Sequence, residues 1–362
     1  MPVLKKIVVR NFRNIELQEL DFSRKVNCIT GSNGEGKTNL LDAIWYLSMT
    51  KSAFTADRFN CRYGTDSFAI SGTYSMPSGP DTRVSVQVGR DKKVKRDDKL
   101  YSKVSSHIGL LPIVMVSPSD ISMVSDSGDE RRRFANAVLS QVDGEYLDAI
   151  QQYNRLLAQR NSLLKESSPD LALLDIIDAR METVAMPVSA RREEFAKVLD
   201  PIVKEFYAKI SGGRETVSVR YRSDALKMGF AELMRSRRAR DMELGYTTAG
   251  IQRDDFPFEM NGHSIRNCGS QGQQKSFLVA LKFAQYAAMK ETCGIPPILL
   301  LDDLFDKLDT GRVQNLLEMV ASEEFGQIFL TDTNKSRLGG IVDSITEDRT
   351  YYEAKGGVFS KL

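Results

Sequence analysis

The stretch GSNGEGKT, Gly31 to Thr38, decides the fold class of this chain. It matches the pattern G-x-x-x-x-G-K-[ST] and lies between a predicted buried strand, KVNCIT, and a strongly apolar predicted helix, KTNLLDAIWYLSM. Glycines let backbone N–H groups turn inward onto phosphates, Lys37 supplies a point charge for the β- and γ-phosphate oxygens, and the Thr38 hydroxyl can ligate Mg²⁺. A chance glycine-rich turn is the weaker interpretation because the pattern fixes four positions and both flanking elements. The stretch therefore predicts nucleoside triphosphate binding in an α/β fold, but it does not identify the reaction.

An acidic site that would accompany the phosphate loop is predicted where the apolar run PPILLLDD ends in Asp302 and Asp303. A buried strand of a parallel sheet is continuously apolar, and the loop at its carboxyl end faces the ligand crevice. We expect Asp302 to hold the Mg²⁺ shell and Asp303 to orient an attacking water. A solvated strand end is the alternative, and the phosphate loop makes it less favoured. Asp306 and Asp309 in FDKLD suggest a further acidic turn nearby.

The polar stretch GSQGQQKSF, Gly269 to Phe277, begins another apolar helix. Ser270 and Gln273 have the spacing of a capping box, which is an ordinary helix start worth roughly 1 kcal/mol. Gly272 weakens a helix and has no purpose in that interpretation, whereas glycine allows another body to approach closely. Both interpretations stay open from these residues alone.

Composition describes an ordinary globular chain of 362 residues, whose formal charge of +2 results from 50 basic and 48 acidic side chains. The total therefore neither indicates nor excludes a nucleic-acid partner. No stretch approaches the ~18 consecutive apolar residues of a membrane span, and four scattered cysteines with two histidines do not predict a zinc site. We expect a soluble protein in a reducing cytoplasm, with no membrane partner.

The remaining pattern predicts two strands within residues 3–30, the strands FAISGTYSM and TRVSVQVGR, and a charged hairpin at DKKVKRDDK. From Asp129 the pattern becomes helical, and it returns to α/β towards the C-terminus, with the strand QIFLTDT. We predict an N-terminal ATPase part at 1–128, a helical insert at 129–243 and a C-terminal ATPase part at 244–362.

The order of these motifs resembles the ABC-type ATPase heads of the SMC, Rad50 and RecF group. Within that group the chain is similar over nearly its whole length to the RecF family, in segments such as NFRNIELQELDF, DERRRFAN, GIQRDDFPFEMNGHSIRNCGSQGQQKSF and PPILLLDDLFDKLD. The insert is too short for the long heptad coiled coil of Rad50 and SMC proteins. The resemblance implies an ABC-type P-loop ATPase head with a mixed sheet, plus an inserted, mainly helical lobe.

The resemblance also implies the site residues and the cofactors ATP and Mg²⁺. Asp303 would be the catalytic base and Thr331 the γ-phosphate sensor, while Thr38 and Asp302 would hold the metal. Ser270, Gly272 and Gln273 of a second subunit would cap the γ-phosphate, so the dimer would depend on ATP. The residues implied in nucleotide binding on the same subunit are Arg13, Asn14, Gly31, Ser32, Asn33, Gly34, Glu35, Gly36, Lys37, Thr38 and Asn39.

For partners, the resemblance implies duplex DNA beside a single-stranded gap, RecR and RecO, and through them the loading of RecA. The enzyme would be a weak DNA-dependent ATPase in which hydrolysis resets the dimer. Three basic clusters are candidates for the DNA contact, although charge runs are usually solvated faces and RRRFAN suits internal salt bridges equally well. They are Lys92, Lys93, Lys95 and Arg96; Arg131 to Arg133; and Arg235, Arg237, Arg238 and Arg240.

Three departures from the family pattern are visible. GIQRDD replaces GPHRDD, Lys275 replaces the arginine that often follows SQGQQ, and VSPSD, Val116 to Asp120, occupies the region of the Q-loop without a glutamine. Other hypotheses are a cytosolic ABC-type ATPase that drives another partner, an SMC-like tether and a P-loop kinase. The last has no use for SQGQQ, and the missing coiled coil argues against the tether.

Overall fold

The computed structural model describes residues 1–126, 128–303, 325–333, 342–343 and 346–362. The chain forms two compact units, and the second is inserted in the sequence of the first: Met1–Asp120 with Gln285–Leu362, and Ile121–Ala284. The sequence-based boundaries after residues 128 and 243 stay a prediction. The motif FDKLD, with Asp306 and Asp309, lies outside the described residues.

Strands and helices are numbered in chain order. The described strands are β1 Val3–Phe12, β2 Ile15–Asp21, β3 Val26–Thr30, β4 Phe68–Ser75, β5 Thr82–Val88, β6 Lys92–Arg96, β7 Lys99–Leu100, β8 Ile113–Val116, β9 Val217–Val219, β10 Phe258–Met260, β11 His263–Ser264, β12 Ile298–Leu301, β13 Ile328–Asp332, β14 Arg349–Lys355 and β15 Val358–Lys361. The described α-helices are α1 Lys37–Met49, α2 Ser122–Ser125, α3 Gly128–Val142, α4 Gly144–Leu163, α5 Leu171–Ser211, α6 Asp224–Met228, α7 Phe230–Leu244, α8 Ile265–Cys268 and α9 Gln271–Cys293.

The first unit contains a mixed sheet with the order β15-β14-β3-β13-β12-β8, in which all neighbours are parallel except β14 and β15. Every residue of β3, β8, β12 and β13 is buried. Continuous apolar strands are stable only where both faces of a sheet are covered. Thr30 pairs with Asp332 and Leu301 with Val116, so these strands end at one edge.

The same unit contains an antiparallel sheet with the order β2-β1-β4-β5-β6-β7. Strand β5 alternates between buried residues, such as Val84 and Val86, and more exposed ones, as expected when only one face is covered. Helix α1 contacts β1, β4 and β5 of this sheet and β8 and β13 of the mixed sheet. It therefore lies between the two sheets, which explains why it is apolar nearly all round.

The prediction of two strands within residues 3–30 was wrong, because the structure has three. The missed strand is β2, an edge strand of which only Ile15 and Leu20 are buried. Its core-facing positions are too few to produce a clear alternation in the sequence. Strand β8 and the hairpin β14–β15 were also not predicted.

The second unit is mainly helical, and α4 and α5 pack along each other within it. Tyr146, Ile150 and Tyr153 are buried on α4, and their i, i+4, i+7 spacing places them on one face of this helix. A small antiparallel sheet, β11-β10-β9, completes this unit. None of the helices in the described ranges is both long enough and apolar enough to span a bilayer.

Candidate nucleotide site

The glycine-rich loop connects β3 to α1, as its sequence context predicted. Gly36 adopts a φ of +105°, and a Cβ there would lie 2.7 Å from the side-chain amide atoms of Asn14. A Cβ on Gly31 would lie 2.5 Å from the carbonyl oxygen of Ala354. Only glycine fits these two positions, because neighbouring atoms already occupy the space of a side chain.

Lys37 folds back over the loop that precedes it. Its Nζ donates hydrogen bonds to the carbonyl oxygens of Gly31, at 2.7 Å, and Ser32, at 3.1 Å, and the residue is only 4% exposed. These contacts hold the ammonium group against the loop at the N-terminus of α1. A concave loop with an ammonium group beside a helix N-terminus is well suited to bind an anion.

Asp302 connects the start of α1 to the ends of β12 and β13 at the carboxyl edge of the mixed sheet. Its Oδ2 accepts a hydrogen bond of 2.7 Å from Thr38 Oγ1, and its Oδ1 accepts one of 2.7 Å from Thr331 Oγ1. The Thr331 hydroxyl in turn accepts a hydrogen bond of 2.9 Å from the backbone N–H of Asp303. The structure thus brings Thr38, Asp302, Asp303 and Thr331 together.

Burial raises the pKa of Asp302 above its usual value, and the carboxylate of Asp120 adds to the effect. The hydrogen bonds from Thr331 and Thr38 and the charge of Lys37 act in the opposite direction. Asp302 is 3% exposed, so its charged form is costly without a nearby cation.

The oxygen donors at this edge fit Mg²⁺. Within the described ranges no group of three or more His, Cys, Asp and Glu side chains could hold a metal. Mg²⁺ needs no such group, because it commonly binds one or two protein oxygens and takes its other ligands from phosphates and water. Thr38 Oγ1 and Asp302 Oδ2, 2.7 Å apart, offer one hydroxyl and one carboxylate oxygen.

The segment VSPSD lies beside Asp302. The Val116 carbonyl oxygen accepts a hydrogen bond of 2.8 Å from the backbone N–H of Asp302, and the Asp120 carboxylate accepts one of 2.8 Å from that of Ser117. The sequence identified this segment only by its position in the chain. Asp120 is therefore an acidic neighbour of the site that the sequence did not single out.

Arg13 and Asn14 support the first turns of α1. The Arg13 guanidinium donates to Asp42 Oδ2 at 2.9 Å, to Asn39 Oδ1 at 3.2 Å and to Asn60 Oδ1 at 3.2 Å. Asn14 Oδ1 accepts a hydrogen bond of 2.8 Å from the Asn39 amide. These bonds fix Arg13 and Asn14 next to the phosphate loop, while their contact with a nucleotide stays a prediction.

The turn of the β14–β15 hairpin holds the phosphate loop from the far end of the chain. The backbone N–H of Gly357 donates to the carbonyl oxygen of Glu35 at 2.9 Å, and that of Gly356 donates to the Glu35 carboxylate. A Cβ on Gly357 would lie 2.3 Å from the carbonyl oxygen of Asn14. We did not predict this hairpin, although the Gly-Gly pair between TYYEAK and VFSKL is a hairpin signal.

Ser270, Gly272 and Gln273 belong to the second unit, at the start of α9. The Ser270 backbone N–H donates to Gln273 Oε1 at 2.8 Å, and the Gln273 N–H donates to Ser270 Oγ at 3.3 Å. This reciprocal pair is the capping box that the spacing indicated. Ser270 is exposed, and its contact with the γ-phosphate of another subunit stays a prediction.

The motif GIQRDD lies within the core of the second unit. Asp254 is 3% exposed and binds Arg192 Nη1 at 3.2 Å, and Asp255 receives two hydrogen bonds from Arg131, at 2.8 and 3.1 Å. Gln252, at the position of the family's histidine, accepts a hydrogen bond from Tyr153. These contacts give the motif a structural role within this unit.

Comparison with known proteins identifies the relatives of the chain. Residues 3–342 match the family model described as RecF/RecN/SMC N terminal domain. A DNA replication and repair protein RecF from Bacteroides fragilis is 42% identical over 364 residues, which covers 99% of this chain and 98% of that protein. The protein of the same description from Porphyromonas gingivalis is 39% identical over 359 residues, covering 98% of this chain and 99% of that protein.

Solved structures support the same fold. The structure of the recombination mediator protein RecF with ATP in the RecFOR pathway has a TM-score of 0.91 at 28% identity, and the match covers 100% of this chain and 98% of that one. An Smc head domain from Pyrococcus furiosus has a TM-score of 0.57 at 14% identity and covers 100% and 96%, which shows the fold alone. The prediction of an ABC-type ATPase head fold is confirmed.

The raised pKa of Asp302 predicts a pH-dependent effect of Asp302→Asn. Between the usual pKa of an aspartate and its raised value in the folded state, the folded protein binds more protons than the unfolded chain, so rising pH costs the wild type stability at this site. The uncharged variant lacks this loss. We expect the free energy of unfolding of the variant minus that of the wild type to increase as pH rises through this window, as measured by urea unfolding without nucleotide. A difference that is constant with pH would contradict the raised pKa.

The hairpin contact predicts that Gly357→Ala weakens nucleotide binding more than Gly356→Ala does. Both glycines have positive φ, +82° and +58°, so alanine strains the turn at either position, by roughly 1–2 kcal/mol. At Gly357 the Cβ would meet the backbone of Asn14, whereas at Gly356 no atom of the described residues lies within 4 Å of a Cβ. Titration with a fluorescent ATP analogue measures the effect, and equal affinities in the two variants would exclude a role of this contact.

Proposed function

Because this chain belongs to the RecF family of DNA replication and repair proteins, we propose that it is a cytoplasmic, ATP-switched DNA-binding protein that hydrolyses ATP slowly. The observation that carries the proposal is the chain of hydrogen bonds Thr38–Asp302–Thr331. It connects the helix after the phosphate loop to the ends of two parallel strands, where a nucleotide would meet the acidic residues.

Different residues of the first unit would bind different parts of the nucleotide. Backbone N–H groups of the loop would bind the phosphates, and Lys37 would neutralise the β- and γ-oxygens. Thr38 and Asp302 would hold Mg²⁺, which would neutralise further charge on the phosphates. The loop stays in shape because Asn14 and the hairpin turn fill the space around Gly36 and Glu35.

Asp303 would accept the proton of the attacking water, and Thr331 would sense the γ-phosphate. The Thr331 hydroxyl donates to Asp302 Oδ1 and accepts from the Asp303 backbone N–H. A displacement of this hydroxyl therefore acts on the metal ligand and on the base together. This arrangement supports the proposal that the metal ligand and the base respond together to the γ-phosphate, through Thr331 at the end of β13.

We assign the γ-phosphate cap to Ser270 and Gly272 of a second copy of the chain. The capping box uses Ser270 Oγ as an acceptor, and a serine hydroxyl that accepts can still donate its proton. The exposed hydroxyl thus keeps a donor for a phosphate oxygen while it caps its own helix. The ordinary interpretation and the functional one are compatible.

DNA with a duplex next to a single-stranded gap is the substrate that we propose, with RecR and RecO as partners that promote RecA loading. The basis is the family and one relative's description as a recombination mediator in the RecFOR pathway. ATP binding would form the dimer on DNA, and hydrolysis would release it.

The proposal predicts different effects of Lys37→Met and Ser270→Arg. Lys37→Met should abolish ATP binding, because it removes the ammonium group from the loop. Ser270→Arg should leave ATP binding by the monomer intact but block ATP-dependent dimers. The larger side chain would fill the space that the γ-phosphate bound to the other subunit needs. Titration and light scattering separate the two, with Ser167→Arg, at an exposed serine before α5, as the control. Equal loss of nucleotide affinity in both variants would contradict capping between subunits.

Asp303→Asn should trap the dimer with ATP bound. Loss of a general base lowers turnover by roughly 10²–10⁴-fold while nucleotide binding persists. Phosphate release and size-exclusion chromatography in the presence of ATP measure both effects. Normal turnover in this variant would show that another group activates the water.

A further inference from the structure

The three basic clusters of the sequence differ in how their side chains are engaged. In the second cluster, Arg131 binds Asp255 through two hydrogen bonds and Arg132 binds Asp129 and the carbonyl oxygen of Asp254. Arg133 pairs with Glu130 at 2.6 Å. Internal partners therefore already occupy this cluster.

The hairpin cluster divides into two faces of strand β6. Lys92 binds Asp57 at 2.9 Å and lies over the ring of Tyr46. Lys93 and Lys95 alternate with the buried Val94 and project to the opposite face of the sheet. Across the described residues, no ion pair or hydrogen bond engages the side chain of either lysine.

Two arginines on the same face of the antiparallel sheet share this property. Strand pairing connects Arg10 to Ala69, Ala69 to Gln87 and Gln87 to Lys93 in one row across the sheet. Arg83 lies on the same face of β5, two residues before Ser85. In the part of the chain that the structure describes, the side chains of Arg10 and Arg83 also have no acidic partner.

These four cations line a groove of about 300 Å³ together with small and polar side chains, the side chain of Val8 and the exposed side chain of Leu17. Ala69, Ser71, Ser85 and Gln87 are the small and polar lining residues, and among the residues that the structure describes no carboxylate lines the groove. Small side chains here let a ligand reach the strands. Serine hydroxyls and glutamine amides also donate to phosphate oxygens, as do arginine and lysine.

None of the described side chains that line the groove is aromatic. Proteins that hold single strands commonly stack the bases on aromatic rings, so this groove is poorly suited to separated bases. A basic groove without rings or acids suits a phosphate backbone whose bases are paired. The chemistry therefore favours duplex DNA over single-stranded DNA.

We propose that this groove of the antiparallel sheet binds the phosphate backbone of duplex DNA through Arg10, Arg83, Lys93 and Lys95. The inference rests on the proposed function, which assigns DNA to the protein but no surface to the DNA. The third basic cluster is the rival surface: Arg235, Arg237 and Arg240 on α7 are exposed, but Arg238 binds Asp175 and Asp178, and Glu232 and Glu243 share the helix. The mixed charge of that helix makes it the weaker candidate.

The experiment measures how the affinity of the full-length protein with ATP for a blunt 30-base-pair duplex depends on salt. Each lost phosphate contact reduces the slope of log K against log salt concentration by about 0.9, so Lys93→Gln/Lys95→Gln should reduce it by about 1.8 per protomer. A fourfold rise in salt would then weaken the variant about 12-fold less than the wild type. The matched control is Lys204→Gln/Lys209→Gln, which removes the same charge from the acid-paired, exposed lysines of α5.

Three results would overturn the inference while the wild type still binds duplex: an unchanged slope in the groove variant, an equal reduction in the α5 control, or a reduction seen only with single-stranded DNA. A reduced slope in Arg237→Gln/Arg240→Gln, together with an unchanged slope in the groove variant, would show that α7 and not the groove binds the DNA. Failure of the wild type to bind duplex at low salt with ATP would instead contradict the proposed function. Equal ATP affinity of all variants shows that the first unit remains folded.

Discussion

The buried carboxylate of Asp302 ties the first turn of α1 to the ends of β12 and β13, and the rest of the candidate site is arranged around it. It accepts hydrogen bonds from Thr38 and Thr331, and its burial raises its pKa. A buried carboxylate without a cation is costly, so the strand ends are arranged to receive positive charge. On the proposed function, a cation and a phosphate would bind together at this polar edge of the otherwise apolar parallel sheet.

The phosphate loop depends on residues that are distant in the sequence. Asn14 lies against Gly36, and the glycines of the last hairpin bind Glu35. Strand β14 pairs with β3, the strand that leads into the loop. The two ends of the chain therefore meet at the loop, and its shape is a property of the complete first unit rather than of the eight-residue motif.

The sequence predicted those features that depend on local pattern. The loop, its flanking strand and helix, and the capping box at Ser270 all follow from residues within a few positions of each other. Edge strand β2 gave too weak an alternation, and the roles of the arginines depended on distant partners: Arg131 is bound by Asp255, 124 positions away. Lys92 and Lys93 are adjacent and equally charged, but strand pleating sends one to Asp57 and the other to the opposite face. The strand pairing in the folded structure is needed to tell which basic side chains have an acidic partner.

Strand β5 separates two environments within the thickness of one sheet. Val84 and Val86 are buried on the side where α1 contacts the sheet, and Ser85 and Gln87 line the groove on the other side. Helix α1 begins at Lys37, so one layer of backbone and one helix connect the groove to the phosphate loop. If binding on one side shifts the affinity on the other, thermodynamic linkage requires the effect to be reciprocal. If ATP raised the DNA affinity by some factor, DNA would raise the ATP affinity by the same factor, so a protomer on DNA would bind ATP more tightly than one in solution.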